Sequence, residues 1–295
     1  MKKLASARRR LFWRGGIAAG VAVTAGLAVA LGASGSASAA PAAAASPVTA
    51  QHSSGPLPTV VLEHGAWANG SSWDGVVQRL QRAGYTVDVP PNPLQGLPYD
   101  SAYLADFLHS ITGPIILVGH SYGGAVITNA ATGDKQVKAL VYVDGFAPDQ
   151  GQTVGQLASS VPGSCVLAAD PTTIFNLATY PGAPAGVFDA YYKQSLFPAC
   201  FANGIPAAQA KVLAATQEPL STIALSQKSG VPAWKTIPSW AVVGTADRVI
   251  RPAVQLAMAR HAHAHITEVR APHLSMISAP GVVTQVILQA AHATR

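Results

Sequence analysis

The chain has 295 residues, of which 49% are hydrophobic and 11% charged, and this composition excludes a disordered or fibrous protein. Its formal net charge of +6 would suggest a polyanionic partner, but six of the 19 Lys and Arg residues fall before position 15, which leaves 13 against 13 Asp and Glu. The rest of the chain is therefore neutral, and we predict no nucleic-acid partner.

Residues 1–39 have the pattern of an export signal. A basic start leads into the apolar run Ile17–Leu31, and small residues follow up to an A-x-A cleavage site that ends at Ala39. Arg9 and Arg10 resemble the twin-arginine export motif. The alternative is an uncleaved membrane anchor. The length of the apolar run argues against it, because about 15 residues are fewer than the roughly 20 that span a bilayer. We expect a secreted protein without a stable membrane anchor after cleavage.

After the signal, a tether precedes an alternation of strands and helices. Residues 40–57 are rich in Ala, Pro and Ser and predict a flexible tether. Residues 58–147 and 237–295 predict an α/β core with a mostly parallel sheet of about six strands flanked by helices. The predicted strands are short runs rich in Val or Ile, at Thr59–Leu62, Thr86–Val89, Ile115–Val118, Ala139–Val143, Trp240–Val243 and Ile266–Val269. The predicted helices have helical apolar spacing, at Ser72–Ala83, Asp100–Ile111, Ser121–Thr132, Pro252–His261 and Gly281–His292.

Residues 148–236 interrupt this alternation with irregular sequence and frequent prolines. A structureless loop of roughly ninety residues is implausible in a compact domain, so we predict an inserted cap subdomain. Cys165 and Cys200 both lie in it, and an exported protein meets an oxidising compartment that favours their pairing. We expect one disulfide, with two unpaired thiols as the alternative.

The motif Gly119-His120-Ser121-Tyr122-Gly123 connects a predicted strand to a predicted helix. A strand, a tight turn and a helix around G-x-S-x-G are typical of a nucleophile elbow, in which the serine occupies a strained turn. Ser121 would then lie at a helix N-terminus, where the dipole favours developing negative charge. We predict that Ser121 is a catalytic nucleophile, with an ordinary helix-capping serine as the alternative.

A serine nucleophile needs a histidine base and a carboxylate that orients it, in the chain order Ser, acid, His. His273 fits best because it follows the last predicted strand, and Asp247 is the preferred acid because it follows the strand Trp240–Val243. Asp144, which follows another strand, is the competing acid. His120 is expected to point away from the site.

Two further features concern oxyanion donors and metal ligands. The backbone amide of Tyr122 and that of Ala66, in the loop after the first strand, are the predicted oxyanion donors. His261, His263 and His265 alternate and could form a metal site, but we interpret them as the solvated start of a strand. We predict no metal and no cofactor.

Several linked motifs resemble a known family. The stretches EHGAWANGSSWDGVVQRLQRAGYTV, ILVGHSYGGAVI, ALVYVDGFAPDQG, VVGTADRVI and PHLSMISAP are similar to bacterial α/β-hydrolases related to plant methylesterases and hydroxynitrile lyases. The resemblance implies the α/β-hydrolase fold, with Ser121, Asp247 and His273 as a triad. The lyases carry Thr and Lys where this chain has Gly65 and Leu274, which favours hydrolysis over cyanohydrin cleavage.

The sequence therefore predicts a serine hydrolase that cleaves small or medium carboxylic esters through an acyl-enzyme. The substrate would be a small molecule held against apolar cap residues, with Trp67 and Phe146 as candidate contacts. Two alternatives remain, a lyase of the same fold and a binding protein that has kept the fold without useful turnover.

Overall fold

A computed structural model of the protein describes residues 56–295. The predicted export signal and all but the last two residues of the predicted tether lie outside this range. Within it, no helix combines the length and the apolar character that a bilayer crossing requires.

Within residues 56–295, nine strands form two sheets. The larger sheet has six strands in the order β2-β1-β3-β4-β8-β9, and every neighbouring pair is parallel. It contains all six predicted strands. The strands are β1 (Thr59–Glu63), β2 (Val87–Asp88), β3 (Ile115–His120), β4 (Val137–Val143), β5 (Phe175–Ala178), β6 (Asp189–Tyr192), β7 (Leu220–Ser221), β8 (Ser239–Gly244) and β9 (His265–Val269).

Helices flank the large sheet. Helix α1 packs on α8 and α2 packs on α3, and the residues of β3 and β8 are all buried, as expected for central strands of a covered parallel sheet. The helices are α1 (Asp74–Arg82), α2 (Leu97–His109), α3 (Tyr122–Ala130), α4 (Val154–Ser159), α5 (Ala207–Ala215), α6 (Pro252–His261), α7 (Ser275–Ser278) and α8 (Pro280–Ala293).

The stretch between β4 and β8 contributes no strand to the large sheet. It contains α4, α5 and the antiparallel sheet β5-β6-β7. We call residues 148–236 the insertion; its boundaries as a subdomain stay a prediction. The predicted disulfide is confirmed, because Cys165 and Cys200 are bonded within the insertion.

The parallel order of the large sheet determines where a site can form. Because all six strands run in the same direction, the loops after β1, β3, β4, β8 and β9 leave the sheet at one edge. Ligands of open α/β sheets bind outside this carboxyl edge. Every residue predicted to be catalytic follows one of these strands.

Candidate active site

Ser121 occupies a strained turn between β3 and α3. Its φ of 53° and ψ of −123° lie outside the regions that side chains usually adopt. Glycine on either side makes the turn possible, because a Cβ on Gly119 would lie 2.6 Å from the Gly123 carbonyl oxygen, and one on Gly123 would lie 2.7 Å from that of His64. The strained turn between a strand and a helix that the motif predicts is therefore present at Ser121.

Three predicted residues form a continuous hydrogen-bonded chain. His273 Nε2 lies 3.0 Å from Ser121 Oγ, and His273 Nδ1 lies 2.8 Å from Asp247 Oδ2. Ser121 is 4% exposed, whereas His273 and Asp247 are exposed by 0% and 1%. The three side chains come from loops that follow β3, β8 and β9, so the fold assembles them from distant parts of the chain.

The surroundings of these three side chains keep the imidazole neutral and act in opposite directions on the Asp247 carboxyl group. Burial lowers the pKa of His273 to about 3, so at neutral pH one ring nitrogen can accept the hydroxyl proton of Ser121. Burial also raises the pKa of Asp247. Opposing this, its carboxylate accepts hydrogen bonds from the Val249 and Ile250 amides at 2.7 and 3.1 Å and from Gln255 Nε2 at 2.7 Å, which stabilise the ionised form.

Asp144, the competing acid, lies elsewhere in the hydrogen-bond network. Its Oδ1 accepts from the Gly244 amide at 2.8 Å and its Oδ2 from the Ser275 amide at 3.1 Å. It has a positive φ of 44°, and burial followed by the nearby charge of Asp247 raises its pKa well above the usual value. Asp144 thus joins the end of β8 to the segment after His273 and makes no hydrogen bond to the imidazole.

The loops that carry the two predicted oxyanion donors lie against each other. The loop after β1 lies against the elbow so closely that a Cβ on Gly65 would be 2.7 Å from Ser121 Cβ and 3.0 Å from the Tyr122 nitrogen. Within residues 56–295, neither the Ala66 amide nor the Tyr122 amide hydrogen bonds another backbone group outside regular helices and strands. Tyr122 opens α3, where the first N–H groups have no intrahelical acceptor.

A family model identifies the fold in which this geometry occurs. The model of the alpha/beta hydrolase family matches residues 60–286. The chain belongs to this family. The predicted α/β-hydrolase fold and the predicted hydrolase activity are thereby confirmed.

Three known proteins illustrate what this hydrolase is similar to. A carbendazim hydrolyzing esterase from a Nocardioides species is 34% identical over 113 residues, which are 33% of this chain and 46% of the esterase, so the match spans less than half of that relative. An extracellular alpha/beta-hydrolase from a Paenibacillus species, which shares homology with tobacco salicylic acid binding protein 2, has a TM-score of 0.64 at 23% identity and covers 79% of this chain and 98% of its own. A pyrethroid hydrolase from Sphingobium faniae has a TM-score of 0.60 at 22% identity, with 81% and 98% covered. The two structures show the shared fold.

The insertion of the hydrolase touches the loops that carry the site. Trp67, next to Ala66, donates from Nε1 to the Ala190 carbonyl at 2.8 Å and from its amide to the Glu218 carbonyl at 2.9 Å. The Phe201 ring lies 5.1 Å from the His273 ring and 5.8 Å from the Trp67 ring. The insertion therefore covers the imidazole with an aromatic side chain.

The two predicted substrate contacts have different surroundings. Trp67 stacks on Phe175 at 5.1 Å and lines a mainly apolar cavity of about 190 Å³, whose other walls come from the insertion. Phe146 is buried beside the elbow, where its amide donates to the Ser121 carbonyl at 3.0 Å, and it is not among the residues that line this cavity.

Sequence reasoning missed several residues that contact the site. His120, expected to point away, places Nε2 3.1 Å from the His273 carbonyl oxygen, and the two rings lie 4.7 Å apart. Gln255 and Phe201 were not identified as neighbours of Asp247 and His273. Gln255 lies in the first turn of α6 and Phe201 in an aperiodic segment, so neither carries a motif that could have indicated its role.

The three alternating histidines lie on different elements. His261 ends α6 and its Nε2 is 2.9 Å from Asp149 Oδ2, His263 lies in a turn with a φ of 51°, and the His265 ring lies 5.0 Å from the Trp240 ring. In the described part of the chain, no group of three His, Cys, Asp or Glu side chains is arranged to hold a metal ion.

Proposed function

We propose that this hydrolase is a secreted carboxylesterase that acts through a Ser121–His273–Asp247 triad and an acyl-enzyme. The observation that carries the proposal is the buried hydrogen-bonded chain from Ser121 Oγ through the imidazole to Asp247, which begins at a strained serine. A hydroxyl with a neutral imidazole at 3.0 Å has an acceptor for its proton when it attacks.

The mechanism follows from the positions of these groups. Ser121 Oγ attacks the ester carbonyl while its proton moves to His273 Nε2, and the amides of Ala66 and Tyr122 stabilise the oxyanion. The Asp247 carboxylate stabilises the imidazolium. His273 then gives the proton to the departing alcohol, which leaves an acyl-enzyme. Water attacks the acyl group, its proton passes to His273 and then to Ser121 Oγ, and the carboxylic acid is released.

We further propose that the cavity beside Trp67, whose lining does not include Ser121 or His273, binds one group of the ester. An apolar cavity of roughly 150 Å³ is sufficient to bind benzene. The cavity of about 190 Å³ would therefore hold a phenyl ring or a short branched alkyl group of the substrate. Secretion is supported by the predicted signal and by the disulfide, which persists in oxidising compartments.

A panel of p-nitrophenyl esters together with a fluorophosphonate probe tests the proposal. We expect ester hydrolysis and covalent labelling by the full-length protein, and the loss of both in Ser121→Ala. Ser239→Ala is the matched control, because Ser239 is also buried but its hydroxyl donates to the Ile237 carbonyl and contacts no catalytic group. Activity that survives in Ser121→Ala would refute the triad.

Two other results would assign the alternative functions. Labelling of Ser121 without turnover of any ester would indicate a binding protein. Release of cyanide from a cyanohydrin would indicate a lyase, and the buried, apolar Leu274 beside His273 offers no ammonium group to stabilise a leaving cyanide.

A further inference from the structure

Two buried acidic side chains and a buried phenol lie next to the loops that carry the oxyanion amides. Glu63 ends β1 directly before the loop of Ala66, and Tyr122 provides the second amide. The Tyr122 hydroxyl donates to Asp100 Oδ2 at 2.7 Å. All three side chains are at most 1% exposed, so water does not replace these interactions.

Asp100 is a rigid acceptor for the phenol. Its Oδ1 accepts from the Gln95 amide at 2.9 Å and its Oδ2 from the Gly96 amide at 3.2 Å, which fixes the carboxyl group at the start of α2. A carboxylate with several backbone donors has little freedom to move. The Tyr122 side chain is therefore held by a hydrogen bond to the first turn of α2.

A displacement of Tyr122 would reach both oxyanion amides. One of these amides is its own. The other belongs to the loop after β1, which contacts the elbow so closely that a Cβ on Gly65 would lie 3.0 Å from the Tyr122 nitrogen. A Cβ on Gly123 would likewise lie 2.7 Å from the His64 carbonyl oxygen. Because the two loops approach each other this closely, we expect a shift of one to displace the other.

We propose that the hydrogen bond between Asp100 and Tyr122 positions the oxyanion hole, so that Asp100 and the Tyr122 phenol are positioning residues for the amides of Tyr122 and Ala66. The inference rests on the proposed esterase function and adds to it a support that joins α2 to the elbow. Transition-state stabilisation by fixed donors depends on their alignment, and a displacement of about 1 Å can reduce the rate as much as 100-fold.

The neighbouring carboxyl group is compatible with this role. Burial, followed by the nearby charge of Asp100, raises the pKa of Glu63 well above its usual value and favours the neutral acid. A neutral Glu63 adds no negative charge beside the oxyanion that forms during catalysis.

The same helix offers a matched control. The hydroxyl of Tyr142 on β4 lies 3.0 Å from Thr128 Oγ1 near the C-terminal end of α3, and Tyr142 is 2% exposed. Tyr142→Phe therefore also removes one buried phenol hydroxyl, which is hydrogen bonded to a residue of α3. Tyr142 carries no oxyanion amide, so its loss affects the same region without the proposed positioning role.

The experiment compares Tyr122→Phe and Tyr142→Phe in the full chain. We measure kcat and KM for a p-nitrophenyl ester, inhibition by phenylboronic acid, which bonds to the serine and places an oxygen in the oxyanion hole, and the melting temperature. For Tyr122→Phe we expect kcat to fall roughly 10-fold and the inhibition constant to rise by a similar factor, with KM changed less than about twofold. Tyr142→Phe should lower the melting temperature only.

Three outcomes separate the possibilities. Equal kcat values for the two variants, or a Tyr122→Phe enzyme whose kcat matches the parent, would overturn the positioning role. If Tyr122→Phe does not fold, Asp100→Asn makes the same comparison, since it alters the other partner of the bond. Failure of the esterase proposal is recognised separately, because the parent would then hydrolyse no ester or Ser121→Ala would retain the activity of the parent.

Discussion

His120 is a titratable side chain that the folded protein keeps neutral. It is fully buried, and desolvation, followed by the charge of His273, lowers its pKa well below 6.5. In the unfolded chain its pKa is close to 6.5. As the pH falls, the unfolded chain therefore binds this proton first, and the fold loses stability below pH 6.5. Above pH 6.5 the unfolded chain also leaves this histidine neutral, and the loss of stability disappears.

The size of the effect follows from the difference in protonation. For one histidine that stays neutral in the fold, the unfolding free energy falls by about 1.4 kcal/mol between about pH 7.5 and about pH 5.5. His120→Gln removes this group while keeping a donor for the His273 carbonyl oxygen, which His120 Nε2 approaches at 3.1 Å. We expect the unfolding free energy of the variant to change between these two pH values by about 1.4 kcal/mol less than that of the parent.

Urea unfolding of both proteins at the two pH values measures the difference. All other titrating groups occur in both proteins, so their contributions cancel in the comparison. His109→Asn, which removes an exposed imidazole from α2, is the control. Parallel pH dependences for the parent and His120→Gln would refute the conclusion that burial keeps His120 neutral.

The remaining predictions concern the acids, the disulfide and the loop after β1. Asp247→Asn should lower kcat by a factor of about 10³–10⁴, whereas Asp144→Asn should mainly reduce the unfolding free energy, by about 1–3 kcal/mol. Ester kinetics and urea unfolding measure these two effects, and a large loss of kcat in Asp144→Asn instead would show that Asp144 is the acid. Replacing Cys165 and Cys200 by Ala should reduce the unfolding free energy by about 4 kcal/mol for a sequence separation of 35 residues, and an unchanged melting temperature would contradict this. Gly65→Ala should reduce kcat for ester hydrolysis about 100-fold, because the new Cβ would lie 2.7 Å from Ser121 Cβ. A kcat equal to that of the parent would show that the loop after β1 can move to accommodate the methyl group.

The core sheet and the elbow could be predicted because their signals are local. Each strand is a short run of Val and Ile, and the turn at Ser121 needs glycine at positions two residues away on either side. The insertion could not be divided into elements in this way. Its strands have two to four residues, and its 3-10 turns have no apolar period to indicate them.

The choice between two acids shows where sequence reasoning ends. Asp144 and Asp247 each follow a buried strand, and β4 and β8 are neighbours, so both carboxylates reach the same edge of the sheet. Their hydrogen bonds differ: Asp247 lies 2.8 Å from His273 Nδ1, while Asp144 accepts two backbone amides. Their order in the sequence contains no information about these directions.

By itself the sequence predicted the α/β core and the elbow from residue types at short spacings, the hydrolase fold from linked motifs of a known family, and the cysteine pair from a simple count. Only the tertiary structure decided which acid contacts His273, that Phe201 covers the imidazole, and that Asp100 holds the Tyr122 phenol. These contacts join residues that are far apart in the chain, and their geometry depends on how strands, helices and the insertion pack together.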